Sequence, residues 1–121
     1  MDKKTTLVIG ASENIERYSN LAVKKLFKNE HPVVAIGKRK GFINSTVIET
    51  EKIPFKNIDT ISLYLNPDKQ FEYYNYILSL NPKRIIFNPG AENEELEALA
   101  NQNGINTQEA CTLVLLSTNQ Y

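Results

Sequence analysis

A glycine-led loop offers the clearest chemistry in this 121-residue sequence. Gly10 follows a short apolar segment and begins a run of small and polar residues that extends to Asn20. Glycine permits a tight turn and a close backbone approach, and the free N–H groups of a following helix suit a pyrophosphate. The side chains that could add hydrogen bonds or charge are Ser12, Arg17, Ser19 and Asn20.

The same loop lacks the two commonest phosphate-binding patterns. In the G-x-G-x-x-G pattern the second glycine would fall at Ser12 and the third at Ile15, and the Walker A lysine is missing. The loop is also longer than a typical dinucleotide-binding turn. The sequence therefore predicts a phosphate loop of neither the NAD nor the P-loop type; the alternative is that Gly10 only turns the chain.

A basic triplet, Lys38-Arg39-Lys40, follows the second apolar segment, and the next acidic residue is Glu49. NAD-binding domains usually place an acidic residue at the end of this strand to hold the ribose hydroxyl. Cations would instead pair with an extra phosphate on the ribose. The triplet favours NADP or coenzyme A over NAD, and the alternative is a solvated charge run on a surface loop.

Two further turns, Asn66-Pro67 and Asn88-Pro89-Gly90-Ala91, follow the third and fourth apolar segments. Small, rigid residues there could let the backbone approach an adenine or a pantetheine chain. The same residues are also common in turns that simply connect a strand to a helix.

Residues suited to catalysis are few. His31 precedes Pro32 and the second apolar segment, where a surface or capping role is expected rather than catalysis. Cys111 could be a nucleophile or form a mixed disulfide with a ligand thiol, but inert packing is the expected role because no histidine is placed to activate it. One cysteine and one histidine exclude a disulfide framework, a cysteine-based zinc cluster and a multi-histidine metal site. We therefore predict a binding module without catalytic residues or a metal.

The amino-acid composition excludes some classes of binding partner. Lysine plus arginine (14) equals aspartate plus glutamate (14), so no net field attracts nucleic acid or an anionic membrane. No signal-peptide core follows the first residues, and the apolar runs are far below the roughly 20 residues that a membrane span needs. The single cysteine fits a reduced compartment. We expect a soluble, cytoplasmic protein that binds neither nucleic acid nor a membrane.

Short branched apolar segments alternate with amphipathic ones. Strands are predicted at residues 7–9, 33–36, 61–65, 84–87 and, more weakly, 105–107, and their continuous apolar character is typical of parallel sheets. Helices are predicted after Ser19 as N-cap, after Asn66-Pro67, after Asn93 as N-cap, and around residues 111–116. The stretch 37–60 carries no convincing amphipathic helix, only a short strand signal at 46–48, and is interpreted as a long crossover over the sheet.

This alternation predicts an α/β fold, a Rossmann-like three-layer αβα domain spanning residues 1–121. We expect a five-stranded parallel sheet in the order 3-2-1-4-5. In such sheets ligands bind outside the carboxyl ends of the strands, where the strand order reverses. The four loops described above should therefore meet at one edge.

With these loops in view, residues 4–118 resemble the small stand-alone coenzyme A-binding domains, Rossmann relatives of the amino-terminal domain of the succinyl-coenzyme A synthetase alpha subunit. The resemblance rests on Val8-Ile9-Gly10-Ala11-Ser12-Glu13-Asn14, Arg17-Tyr18-Ser19-Asn20, Val33-Val34-Ala35-Ile36-Gly37-Lys38, Asn88-Pro89-Gly90-Ala91-Glu92-Asn93-Glu94-Glu95 and Glu109-Ala110-Cys111-Thr112.

The resemblance implies a cofactor, coenzyme A or acyl-coenzyme A, and a set of binding residues. Those implied at the phosphates are Gly10, Ala11, Ser12, Arg17, Ser19 and Asn20. Lys38 would lie by the ribose phosphate, in the basic loop with Arg39. The adenosine side would be lined by Leu65, Asn66 and Pro67, and the remainder of the ligand would face Asn88, Pro89 and Gly90.

The sequence departs from that family in two places. Phe87, Asn88 and Pro89 stand where many relatives have a tryptophan and a glutamine before the glycine. The catalytic histidine loop and partner domain of the synthetase have no counterpart. The resemblance thus implies binding and does not imply ligase chemistry.

Three hypotheses follow, from three classes. The leading one is a non-catalytic binding module for coenzyme A or an acyl derivative. The second is a small NADP-dependent oxidoreductase, for which no proton donor can be named. The third is a protein-interaction domain that has lost its ligand. Each is compatible with a homo-oligomer or with an unknown protein partner.

Overall fold

The computed structural model describes residues 2–121, which form a single seven-stranded sheet with helices on both faces. The strands are β1 (Thr6–Ala11), β2 (Val33–Gly37), β3 (Gly41–Ile43), β4 (Thr46–Glu49), β5 (Thr60–Leu63), β6 (Arg84–Phe87) and β7 (Asn106–Glu109). The helices are α1 (Tyr18–Lys28), α2 (Pro67–Gln70), α3 (Tyr74–Leu80), α4 (Glu94–Gln102) and α5 (Thr112–Ser117), with a 3₁₀ turn at Phe71–Tyr73.

The strand order is β3-β4-β2-β1-β5-β6-β7, and every neighbouring pair is parallel except β3 with β4. The predicted α/β Rossmann-like fold with a parallel sheet is confirmed. The predicted strand number and order are wrong, because the sheet has seven strands and the third predicted strand, β5, pairs with β1 rather than lying outside β2.

The stretch 37–60 explains the error. It is not a crossover lying over the sheet: it contributes the hairpin β3–β4, and β4 takes the position beside β2. The hairpin turns at Asn44, whose φ of 52° lies in the left-handed region that asparagine tolerates. β3 is only three residues long and exposes Phe42, so it lacks the apolar run by which the other strands are recognised.

Alternate residues of each central strand pack into two separate cores. On one face Leu7, Ile9, Ile61 and Leu63 join the buried side chains of α3 and α4. On the other face Val8, Ala35 and Ile86 join those of α1 and α5. Because strand side chains alternate with period two, burial on both faces requires the continuous apolar segments seen in the sequence. The predicted three-layer arrangement follows.

Helix termini match the sequence signals unevenly. Asn93 caps α4 by accepting hydrogen bonds from the N–H groups of Glu95 and Leu96, and Asn66 with Pro67 starts α2, both as predicted. The prediction of Ser19 as a cap is wrong, because α1 already begins at Tyr18 and Ser19 is buried within it. Within residues 2–121 the helices are too short or too polar to cross a membrane.

Candidate functional site

The four loops predicted to bind a ligand lie at one edge of the sheet. β1, β2, β5 and β6 are parallel neighbours, so their carboxyl ends emerge together. The chain passes from β1 to β2 on one side and later returns to β5 on the other. The strand order therefore reverses between β1 and β5, which is where open α/β sheets bind ligands. We call this region the carboxyl edge.

Gly10 makes the close approach expected of the loop after β1. Its φ is +99°, and a Cβ there would lie 3.1 Å from Cβ of Tyr64 and 3.2 Å from its carbonyl carbon. Both the backbone conformation and the available space therefore require glycine. The turn presses the loop after β1 against the loop after β5, which brings the predicted phosphate and adenosine residues side by side.

The loop from Ser12 to Asn20 is held by its own side chains. Ser12 Oγ accepts a hydrogen bond from the Asn14 N–H at 3.1 Å, and Asn14 Oδ1 accepts one from the Glu16 N–H at 2.9 Å. Asn20 Nδ2 donates to the Ser12 carbonyl oxygen at 2.8 Å. These bonds order the loop without any ligand, so a ligand would meet a largely preformed backbone.

The amino end of α1 is open to an anion. Arg17 is its N-cap residue and its side chain makes no capping hydrogen bond, and the first turn contains no acidic residue. The first N–H groups of a helix have no partner within the helix, and its dipole places partial positive charge there. The exposed Arg17 side chain adds a full charge beside them.

One buried acceptor at this place has no partner within residues 2–121. Asn20 is 2% exposed, and its Oδ1 accepts no hydrogen bond. The amide cannot be turned over, because its nitrogen must face the Ser12 carbonyl oxygen. A buried acceptor without a donor costs free energy. A ligand hydroxyl or N–H group would satisfy it, so the chain's own residues fit a polar ligand here.

A second unpartnered atom is the buried hydroxyl of Tyr64. Burial raises the pKa of Tyr64 to about 12, with a small further rise from Cys111, while the nearby hydroxyls of Thr112 and Ser62 oppose the increase. The phenol is therefore neutral at physiological pH, and its hydroxyl lies inside the fold beside those of Thr112 and Ser62.

The basic loop lies beside the loop after β1. Glu13 joins them, because its Oε2 accepts a hydrogen bond from the Phe42 N–H at 2.9 Å and its side chain covers Gly41. Lys40 lies 3.8 Å from Glu49, whereas Lys38 and Arg39 are exposed and form no ion pair within residues 2–121. Two free cations thus lie next to the loop after β1, which is predicted to bind phosphate. Glu13 had no distinguishing sequence signal, since its partner lies in an unpredicted hairpin.

Asn88, predicted to face the ligand, uses its side chain inside the fold. It is 1% exposed; its Nδ2 donates to Ser62 Oγ at 2.9 Å and to the Leu63 carbonyl oxygen at 3.0 Å. Its Oδ1 accepts from the Thr112 N–H at 2.8 Å. Asn88 therefore ties β5, β6 and α5 together, and the outward part of this loop is Pro89 and Gly90, both exposed.

Gln70, which the sequence analysis missed, joins the loop after β5 to the loop after β6. It is fully buried, and its Nε2 donates to the carbonyl oxygens of Leu65 at 2.8 Å and Ala91 at 2.7 Å. Its Oε1 accepts from Asn93 Nδ2 at 2.9 Å. The predicted residues Asn66 and Pro67 are exposed beside it, and Leu65 is half-buried. A polar residue in an amphipathic helix is normally predicted to be exposed, so no local sequence signal identifies Gln70 as buried.

His31 and Cys111 lie at opposite ends of the sheet. His31 is at the amino edge, as predicted, but it is 2% exposed rather than on the surface. Its Nδ1 accepts from the Lys4 N–H at 3.0 Å, and burial, with a smaller effect of Lys3, Lys4 and Arg84, lowers its pKa. Cys111 is half-buried at the N-cap of α5, next to Tyr64 and far from the only histidine.

Two cavities lie away from the carboxyl edge. One of about 380 Å³ lies between the amino halves of β2 and β4, against Phe27 and Phe55, and one of about 510 Å³ lies at the amino edge near Lys3 and Lys83. Neither is lined by a predicted binding residue. The candidate site is nevertheless at the carboxyl edge, because the uncapped start of α1, the buried acceptor of Asn20 and the unpaired cations are all there.

Comparison with known proteins identifies the family. Residues 4–117 match the model of the CoA binding domain. The chain belongs to this coenzyme A-binding family. No curated protein matches the sequence.

Solved structures agree on the fold. A crystal structure of an uncharacterized protein is 44% identical, with a TM-score of 0.98 and full coverage of both chains. A hypothetical protein from Pyrococcus horikoshii OT3 is 21% identical with a TM-score of 0.86, covering 96% of this chain and 83% of its own. An oxidoreductase from Bacillus cereus is 16% identical with a TM-score of 0.61, covering 88% of this chain and 34% of its own. The last two similarities concern the fold alone.

Proposed function

We propose that the protein is a non-catalytic module that binds coenzyme A or an acyl derivative at the carboxyl edge. Membership of the coenzyme A-binding family supports the ligand class. The observation that carries the proposal is the open amino end of α1 beside Gly10, with Lys38 and Arg39 unpaired next to it. These features suit a ligand with one phosphate cluster on the backbone and another on side chains.

The pyrophosphate would lie on the backbone of Gly10, Ala11 and Ser12 and on the first N–H groups of α1, with Arg17 adding charge. The loop's internal hydrogen bonds hold these donors in place before binding. Ser19 is buried at the start of α1, so its side chain does not face the ligand, and Asn20 Oδ1 would accept a hydrogen bond from the ligand. Preformed donors reduce the ordering cost of binding.

The phosphate on the ribose would pair with Lys38 and Arg39. Charge-assisted hydrogen bonds to a phosphate are about twice as strong as neutral ones. Glu13 supports this role by holding the basic loop against the loop after β1. The same cations suit the ribose phosphate of NADP, so NADP is the competing ligand.

The residues at this edge favour binding over catalysis. The pKa of Tyr64, about 12, leaves its hydroxyl a donor and not a base. Cys111 has no histidine to activate it, because His31 is at the amino edge. Asn88 and Gln70 use their amides within the fold.

Thermal unfolding with coenzyme A, dephospho-coenzyme A, NADP and NAD tests the proposal. A ligand at 100 times its Kd stabilises the fold by about 2.7 kcal/mol, which raises the Tm by several degrees in a domain of this size. Coenzyme A should raise the Tm, dephospho-coenzyme A should raise it less, and Lys38→Glu should abolish the difference. Lys56→Glu, an exposed lysine away from the edge, is the matched control.

A rise with NADP alone would replace the proposal by the oxidoreductase hypothesis. A Lys38→Glu variant that binds coenzyme A as well as the parent would refute the role of the basic loop. Unchanged Tm values with all four ligands would indicate an interaction domain without a nucleotide ligand.

A further inference from the structure

The net charge of the chain is zero, but its charges are divided across the carboxyl edge. Two surface regions flank the point where the strand order reverses. The basic patch consists of Ile15, Arg17, Tyr18, Lys38, Arg39 and Phe42. The acidic patch consists of Asp68, Phe71, Glu72, Glu92, Glu94 and Glu95. The basic patch contains three exposed apolar side chains and the acidic patch contains one, Phe71, and the charges listed in each patch have one sign.

The basic patch exposes three large apolar side chains. Ile15 is 69% exposed, Tyr18 68% and Phe42 62%. The hydrogen bond from the Phe42 N–H to Glu13 holds β3 against the loop that carries Ile15 and so makes one surface of them. Glu13 and Glu16 also lie in this loop, and Glu13 is the one bound to β3.

The acidic patch is built around Phe71, which is 71% exposed. Its ring packs edge-on against Tyr74 at 5.3 Å, and the Tyr74 hydroxyl donates to Glu95 Oε1 at 3.0 Å. Phe71 therefore adjoins the acidic first turn of α4. Two exposed cations lie on this side. They are Lys69 and Lys52, whose Nζ donates to the Glu72 carbonyl oxygen at 2.7 Å, and the five carboxylates of the acidic patch outnumber them.

We propose that the carboxyl edges of two copies of this chain dock on each other about a two-fold axis. The basic patch of each copy would cover the acidic patch of the other. Exposed apolar patches with a charged rim are typical of protein interaction sites. Opposite charges complement one another across interfaces and suppress wrong pairings.

A second copy fits better than an unrelated partner because the two patches are complementary to each other. The basic patch follows β1 and β2 and the acidic patch follows β5 and β6, so their centres are two strand spacings, about 10 Å, apart. A two-fold axis between them brings both pairs into register at once, as a self-complementary interface requires. The basic patch includes Arg17, Lys38 and Arg39, which would also hold the ligand phosphates in the proposed function. The dimer is therefore proposed for the ligand-free protein, and coenzyme A would compete with the second copy for these residues.

Sedimentation equilibrium of the ligand-free protein at tens of micromolar tests the inference. The parent should have twice the mass of the 13.8-kDa chain. Phe71→Ser and Phe42→Ser should each weaken the dimer at least tenfold, whereas Phe27→Ser should not. Phe27 is the matched control, since it is 58% exposed but lies at the far end of α1.

Exchanging the charges of two residues distinguishes loss of a specific contact between the patches from a general disturbance of the surface. Glu94→Lys should weaken the dimer, and adding Arg39→Glu in the same chain should restore part of the affinity. Neither change alters a buried residue, and unchanged circular dichroism would verify folding. A parent that is monomeric at 100 µM, a dimer unaffected by both phenylalanine variants, or one dissociated by Phe27→Ser would overturn the inference.

Discussion

Helices α1 and α4 both begin at the carboxyl edge, yet their first turns are opposite in chemistry. Asn93 caps α4 with two hydrogen bonds, and three glutamates follow in its first turn. α1 has no side-chain cap, no acidic residue in its first turn, and Arg17 as its N-cap residue. Glutamates of the chain itself compensate the dipole of α4, whereas the dipole of α1 would be compensated by a bound anion.

This difference between the two helix starts indicates that α4 contributes mainly to stability and α1 mainly to ligand binding. Asn93 also donates through Nδ2 to Gln70 Oε1 and to the Tyr74 hydroxyl, both at 2.9 Å, so the start of α4 belongs to a network within the fold. At the start of α1, the side-chain hydrogen bonds within residues 2–121 join only residues of the preceding loop and Asn20. Changes at α4 should therefore alter the free energy of unfolding, and changes at α1 should alter ligand affinity.

Replacing the glycine at each side of the edge gives the largest expected effect. Gly10 and Gly90 have nearly equal φ values, +99° and +94°, but a Cβ at Gly10 meets Tyr64 and one at Gly90 meets nothing within 4 Å. Gly90→Ala should cost about 1 kcal/mol from backbone strain alone. Gly10→Ala should cost about 2–4 kcal/mol, because overpacking adds to that strain. Urea unfolding measures both.

Equal losses in the two alanine variants would mean that Tyr64 moves aside freely. The tight approach of the two loops would then not be a requirement of the site. A larger loss in Gly90→Ala would reverse the comparison between the two sides of the edge.

Replacing the two N-cap residues is expected to have a smaller effect and sharpens the comparison. Asn93→Ala should lower the free energy of unfolding by about 1–2 kcal/mol, since the cap is lost, and should leave the Kd for coenzyme A nearly unchanged. Arg17→Ala should leave stability unchanged and weaken coenzyme A binding about tenfold, because one charge-assisted contact is lost. Isothermal titration and urea unfolding of both variants provide the four values. The separation fails if Asn93→Ala is the variant that loses affinity.

The smallest expected effect concerns the other end of the molecule. The pKa of His31 is lowered in the folded protein, so the unfolded chain binds its proton more readily. The stability that neutral His31 provides is complete above its unfolded pKa of about 6.5 and is lost as the pH falls through the lower, folded value. The free energy of unfolding should thus decrease slightly below pH 6.5.

His31→Asn, which keeps an acceptor for the Lys4 N–H, should remove this decrease between pH 6.5 and about pH 5, above the range in which carboxylates titrate. Urea unfolding at several pH values measures it. The same decrease in the variant would assign the titration to another group.

Local chemistry in the sequence determined much of this protein. Parallel strands buried on both faces need continuous apolar segments, and the turns after them must emerge at one edge, so the four loops could be located. Asn93 was identifiable as a cap because the signal lies within four residues. The basic triplet was identifiable as a cation source without any structure.

Only the tertiary structure decided what those loops touch. The order of the strands depended on the β3–β4 hairpin, in which β4 pairs with β2 and the three-residue β3 has no strong local signal. Glu13 joined to Phe42, Gln70 joined to Leu65 and Ala91, and the unpaired oxygen of Asn20 are all consequences of contacts between segments far apart in the chain. Residue type specifies what a polar group can bind, but its partners, and whether it is left without one, depend on the packing around it.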